Sequence, residues 1–303
     1  RKEISIHLMY GKRMENLNGR LITYFATDGL RLKGYLALAK NSQTTIIHIH
    51  GHFGNFYEND FIPKMAECYA AAGINFLCVN NRGHDGIAEA YQDKKVVYIG
   101  GAIEYPEQCI LDIKGAIKYA EEFSTRIILQ GHSFGCQKVL AYLVEAKAPN
   151  EFVLLSPADT YQLQSNYIRP ATIPEQLNRI RREYSDRMDE LLPISEFGEN
   201  QPGAEYYIPI SAKSFVSLFG GSLPELLRYE QPLKYYLKAS GFVYYGGKDT
   251  LWTVSKTVVE QFFIEHLEDL TFYYYENGDH HFHGFETIVA GEIINWVNRE
   301  KVH

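Results

Sequence analysis

The sequence predicts an α/β protein: a mostly parallel sheet with helices on both faces and an inserted segment. Three observations carry this. Short β-rich runs alternate with stretches whose apolar residues recur at helical spacing, as in a parallel sheet built with crossover helices. Residues 157–236 break that alternation and hold eight of the eleven prolines. A Gly-x-Ser-x-Gly pattern, Gly131–Gly135, stands between a β-like run and a helical one.

The elements follow in order. Ile4–Leu8, Leu21–Ala26 and Leu32–Ala39 read as strands, the last two joined as a hairpin by Asp28-Gly29. Thr45–Ile49 is a short apolar run, as a buried parallel strand should be. A helix over Phe61–Ala72 stops at Gly73, and Ile74–Val79 is the next strand. Cys109–Glu122 carries Ile110, Ile113, Ile117 and Ala120 at helical spacing. Arg126–Gln130 reads as a strand, Phe134–Ala146 as a helix and Phe152–Leu155 as a strand. Later come strand Phe242–Tyr245, helix Val254–His266, strand Leu270–Tyr274 and helix Glu286–Arg299. The core is therefore expected at 1–156 and 237–303, with 157–236 as an inserted cap. A structureless surface loop is the alternative, but loops of such length are uncommon. The interval also offers an amphipathic helix with Ile180, Tyr184, Met188, Leu191 and Leu192 on one face.

Composition narrows the function. The 303 residues are 46% hydrophobic and 22% charged, with a formal net charge of −7. That is ordinary for a soluble globular protein and argues against a nucleic-acid binder, whose phosphate contacts need clustered positive charge. Cys68, Cys78, Cys109 and Cys136 form no CxxC pair and read as reduced thiols of a cytoplasmic enzyme. No apolar run approaches the ~20 residues of a membrane span, and no signal peptide is visible.

The chemistry centres on Ser133. A serine hydroxyl is a poor nucleophile and must be presented to a base. A sharp strand-to-helix turn does this, and its two glycines permit tight backbone approach. The alternative is an ordinary Gly-flanked serine turn. An oxyanion hole needs two N–H donors. Phe134, after the serine, is one; His52, after the run ending His50-Gly51, is the other, with Phe53 as its rival. His50 and His52 could instead pair on a metal, but no acidic or cysteine ligand supports that spacing. The acid should follow the serine and the base should follow the acid. Asp249, at the tip of Gly246-Gly247-Lys248-Asp249, is the expected acid, with Asp159 as rival. In Gly278-Asp279-His280-His281-Phe282-His283 the expected base is His280, with His281 and His283 competing.

Taken together, His50-Gly51, Asn81-Arg82-Gly83-His84, Gly131-His132-Ser133-Phe134-Gly135, Gly246–Asp249 and Gly278-Asp279-His280 resemble the α/β-hydrolase superfamily from about residue 20 onward. More narrowly, Gly131–Gln137 and Asn80–Asp85 resemble a branch that includes fungal esterases acting on hydroxamate siderophores. The resemblance implies an α/β-hydrolase fold and a serine hydrolase acting on an ester or thioester through an acyl-enzyme. It needs no metal or organic cofactor. Its implied partner is a small-molecule acyl substrate, carrier- or siderophore-linked. Acyl or peptidyl transfer by the same residues is one alternative, and a non-catalytic binding module on the same fold is another.

Weaker features complete the reading. Arg82 is expected to bond loop carbonyls and shape a pocket floor. Phe53, Glu104 in the loop Gly100–Glu104, and Tyr161 of the cap are candidate substrate contacts. Arg179, Arg181, Arg182 and Arg187 read as a salt-bridged face through Glu183–Arg187 and Arg182–Asp186 rather than an anion site. The many cap tyrosines suit an amphipathic acyl pocket or simply pack the cap on the core.

Overall fold

A computed structural model describes residues 19–162, 173–193, 210–229, 231, 235–249 and 254–299. The expected strand Ile4–Leu8, and three of the tyrosines of the expected cap, Tyr167, Tyr206 and Tyr207, lie outside them.

The chain runs β1 (Gly19–Phe25), β2 (Leu30–Ala37), β3 (Thr44–Ile49), α1 (Phe61–Ala71), β4 (Asn75–Val79), β5 (Ala88–Gln92), β6 (Lys95–Ile99) and α2 (Cys109–Ala120). It continues through β7 (Arg126–His132), α3 (Phe134–Ala146), β8 (Glu151–Leu155), α4 (Ile173–Glu183), α5 (Ala212–Gly220), β9 (Leu237–Gly246), α6 (Lys256–His266), β10 (Leu267–Tyr275) and α7 (Glu286–Arg299). The sheet order is β10-β9-β8-β7-β3-β4-β2-β5-β6, with β1 also paired to β2. The six strands from β10 to β4 are parallel, whereas β2 pairs antiparallel with β1, β4 and β5. The expected mostly parallel sheet is present.

Apolar residues cover both sheet faces. Phe61, Met65 and Tyr69 of α1 join Val289, Ile293 and Trp296 of α7 over Ile46, Phe76, Ile128 and Phe242. Ile113 of α2, with Val139 and Leu140 of α3, packs with Ile47, Leu77, Leu129 and Leu154 in the opposite core. That double burial is why β3 and β4 read as short, mostly apolar runs without polar alternation. From β3 the chain proceeds to β4 on one side, then returns to β7 on the other. The crevice beyond the carboxyl ends of β3 and β7 is such a fold's usual ligand position.

Two segments differ from expectation. The stretch before Gly100 forms the β5–β6 hairpin, turning at Asp93 and Lys94, both at positive φ. Asp-Lys lacks the glycine that marks such turns in a sequence. The helix expected to carry Ile180 through Leu192 ends at Glu183. The carbonyls of Met188 and Glu190 instead accept the N–H groups of Lys213 and Ala212, at 2.8 and 3.0 Å, tying this segment to the start of α5. Consequently the expected charge pairs shift: Arg179 faces Glu183 and Arg187 faces Glu190. The described part of the segment between β8 and β9 includes α4, α5 and turns, and Leu177, Ile180, Phe215 and Leu218 join the same core as Val139 and Leu140 of α3.

Candidate active site

Ser133 is the junction between β7 and α3, with φ 55° and ψ −126°. A non-glycine residue held there costs about 1–3 kcal/mol, so its surroundings must impose the conformation. Its N–H donates to Leu155 O at 2.9 Å and its carbonyl accepts from Cys136 N at 2.9 Å. The flanking glycines allow the crossing. A methyl on Gly135 would fall 2.2 Å from Ile49 O, and one on Gly131 2.6 Å from Gly135 O. A methyl on Gly51 would meet Ser133 Cβ at 3.0 Å, so the end of β3 lies against the serine.

His280 and Asp249 are brought together: Nδ1 lies 2.7 Å from Oδ2, and the Asp249 side chain is fully buried. Two interlocked turns set this pair. Gly247 N donates to Tyr275 O at 2.9 Å and Lys248 N to Gly278 O at 2.8 Å. The His280 carbonyl is also fixed, accepting from His132 Nε2 at 2.9 Å and Ser156 Oγ at 3.0 Å. The His280 loop is thereby tied to the residue immediately before Ser133. Burial, chiefly, holds the His132 pKa well below its ordinary value, so this ring is a neutral donor.

The competing groups have other partners. His283 lies 2.7 Å from Asp279 within its own loop. His281 packs its ring against His132, and its backbone N–H donates to Asp279 Oδ1 at 3.1 Å. The rival acid Asp159 accepts from Gln162 N at 2.8 Å, and burial pushes its pKa up to about 6.

Phe134 opens α3, where the helix N-terminus favours negative charge. The loop carrying His52 and Phe53 is tightly turned: Gly54 N donates to Gly51 O at 3.2 Å, and Phe53 has φ 55°. His50 braces it, with Nδ1 2.8 Å from Gly51 O and Nε2 accepting from Asn81 N at 3.1 Å. Phe53 lies against Gly101 and, at 4.0 Å between ring centres, against His52. Glu104 is fully buried at its side chain, facing Lys138 Nζ at 3.4 Å and His52 Nδ1 at 3.7 Å. Tyr161 instead stacks under Arg228, 3.9 Å from the guanidinium carbon to the ring centre. Thus His52, Phe53 and Glu104 form one group, while Tyr161 belongs with Arg228.

Arg82 departs from expectation. It grips side chains rather than loop carbonyls: Asp112 Oδ1 at 2.7 Å, Asp28 Oδ2 at 3.0 Å and Gln108 Oε1 at 3.0 Å. A guanidinium this buried is better neutralised by carboxylates than by carbonyl dipoles. Sequence reasoning missed Lys138, His132 and Ser156. A lone lysine within the apolar run of α3 was the available signal for the first.

No protein-family model matches the chain, and no curated protein matches it. Solved structures do. An α/β hydrolase from Penicillium sp. sh18 is 18% identical, with 94% of this chain and 96% of that one covered at a TM-score of 0.64. A siderophore hydrolase from Aspergillus fumigatus is 16% identical, with coverages of 94% and 98% and a TM-score of 0.63. An esterase from Pyrococcus furiosus is 19% identical, with coverages of 93% and 90% and a TM-score of 0.56. At these identities the likeness is one of fold.

Proposed function

From the α/β-hydrolase fold that this chain has, we propose that it is a serine hydrolase cleaving an ester or thioester of a small molecule through an acyl-enzyme. Ser133 Oγ attacks the carbonyl while His280 Nε2 takes its proton. Asp249 holds His280 Nδ1–H and stabilises the imidazolium that forms. The N–H groups of Phe134 and His52 receive the oxyanion. His280 then passes the proton to the leaving group, and water, activated by the same imidazole, releases the acid. The observation that carries this reading is the 2.7 Å contact of His280 with buried Asp249, on a loop bonded to His132 beside the strained Ser133. The esterase and siderophore-hydrolase neighbours support an ester-cleaving chemistry.

In this reading residues 157–236 are a cap that selects the acyl group, with Tyr161 as one of its walls and Phe53 as a wall from the core. Pockets at such junctions bury most of a small ligand.

The test is covalent labelling by a fluorophosphonate, mapped by peptide mass, followed by turnover of acyl esters and thioesters. Labelling is expected on Ser133, and Ser133→Ala should abolish it and lower turnover by about 10³-fold or more. A variant labelled at another serine with turnover intact would sink the assignment.

A further inference from the structure

The proposed hydrolysis leaves one group of buried charges unused. Lys138 sits inside α3 with its side chain fully buried. Its Nζ donates to Asn81 Oδ1 at 2.9 Å and faces Glu104 Oε2 at 3.4 Å. The Glu104 carboxylate lies against Gly83, where a methyl would fall 2.0 Å from Oε2, so only glycine leaves it this seat. Burial opposes the Glu104 charge, but Lys138 and His52 outweigh it and its pKa falls below the ordinary value. A buried ion pair adds little net stability over apolar residues of similar volume. Its third partner gives it a use.

That partner is His52. Its Nδ1 stands 3.7 Å from Glu104 Oε1, and both atoms are buried without a hydrogen-bond partner. A buried polar atom left unpaired loses its solvation without compensation, so a small rotation that closes this gap is favoured. The ring is otherwise open, its side chain 25% exposed, and Nε2 is not among the buried unpaired atoms. With Nδ1–H directed at the carboxylate, the neutral ring has an unprotonated Nε2, which is an acceptor. His52 thus faces Glu104 at 3.7 Å much as His280 faces Asp249 at 2.7 Å, but from the loop after β3. It follows Gly51, which abuts Ser133, and its ring lies edge-on to Phe134 with centres 5.8 Å apart. An apolar side chain would pack against Phe53 and Phe134 equally well and would need no carboxylate beneath it.

We propose that His52 is a substrate-binding residue whose Nε2 accepts a hydrogen bond from a hydroxyl or N–H group near the scissile carbonyl. Glu104 and Lys138 are positioning residues: Glu104 sets the ring tautomer and Lys138 keeps Glu104 ionised. The substrate class is then an ester or thioester with a hydrogen-bond donor close to the carbonyl. This deepens the hydrolase reading and rests on it for the identity of the reacting bond.

Two measurements test it. The first compares nitrophenyl butanoate with its β-hydroxy analogue. The wild-type chain should favour the hydroxy ester about three- to tenfold in kcat/KM, as one hydrogen bond allows, and His52→Leu should bring that ratio to about one. The second reads the His52 ring by nitrogen-15 NMR in Ser133→Ala protein. The Nδ1–H tautomer is expected, and the hydroxy ester, not the plain one, should shift the Nε2 resonance. Replacing the pair together, Glu104→Leu with Lys138→Met, avoids stranding a buried charge; it should release the tautomer preference while the thermal unfolding transition stays cooperative. A wild-type ratio near one, a ratio unchanged in His52→Leu, or an Nε2–H tautomer overturns the proposal. Should Ser133 fail to label and neither ester be cleaved, the hydrolase reading falls, and the NMR response alone decides the role of His52.

Discussion

A histidine serves as a base at one nitrogen only when the proton on the other is held. His280 meets that condition through Asp249, at 2.7 Å. Asp249→Asn presents an amide that can face the ring with its NH₂, favouring the tautomer with no lone pair at Nε2. We expect kcat to fall about 10³- to 10⁴-fold, with the fold intact. His280→Ala should fall comparably. His281→Ala should stay within about tenfold, because its imidazole packs on His132 rather than on Asp249. Steady-state kinetics on one activated ester separates the three, and a dead His281→Ala beside an active His280→Ala would move the base by one residue. Ser133, Asp249 and His280 could each be named as candidates because each sits in a short glycine-marked motif that is local in sequence. Which of His280, His281 and His283 faces Asp249 could not be derived from spacing alone, since neighbouring positions say nothing about where each ring points. Lys138 was hidden for another reason: a helical pattern assigns lysine to the solvent face, and only Glu104 and Asn81, 34 and 57 residues away, give it a buried seat.

At the scale of elements, the strand-to-helix turn works because β3 and α3 approach within glycine distance. Gly135→Ala would put a methyl 2.2 Å from the backbone oxygen of Ile49, which cannot swing aside as a side chain would. The helix must move off the sheet and carry Ser133 with it. Stability should drop by about 3 kcal/mol, and turnover should drop with it. Gly291→Ala is the control. It lies inside α7 with open space around it, so the methyl should add about 1 kcal/mol through helix propensity and leave turnover alone. Urea midpoints and kcat on both variants check this; a well-folded, fully active Gly135→Ala would disprove the close crossing. The buried strands were legible as apolar runs because helices cover both faces. The β5–β6 hairpin was not, because Tyr98 and Val96 stand on an exposed edge where no strict alternation is imposed. The end of α4 was equally hidden, because the segment after it is held through Met188 and Glu190 by Lys213 and Ala212 at the start of α5.

For the molecule as a whole, the three histidines buried around the sheet's carboxyl end predict acid sensitivity. Burial lowers the His48 pKa to about 3 and holds those of His50 and His132 well below 6.5. His48 is neutral within a buried chain in which Tyr69 donates to Gln130 Oε1 at 2.8 Å and Gln130 Nε2 lies 3.0 Å from His48 Nδ1. Each group binds its proton in the unfolded chain at about 6.5 but not in the folded one until much lower pH. The unfolded state therefore binds more protons below that value, and stability declines as pH falls. The stabilisation is fully present above about pH 6.5 and is lost at about 1.4 kcal/mol per pH unit per histidine. Together the three contribute a slope of about 4 kcal/mol per unit, large against the 5–15 kcal/mol of a typical domain. Two buried carboxyls act the other way. Asp159, raised to about 6, and Asp112, raised by burial against the opposing pull of Arg82, protonate earlier when folded and offset part of the loss. The net expectation is a urea midpoint that falls steadily from pH 7 to pH 5, before ordinary carboxylates titrate. His48→Leu made with Gln130→Leu, so that no amide is left unpaired, should flatten that decline by about a third of the histidine contribution. A midpoint independent of pH across this window would mean that the three imidazoles take up protons in the folded protein as readily as in the unfolded one, and that their burial carries no electrostatic cost.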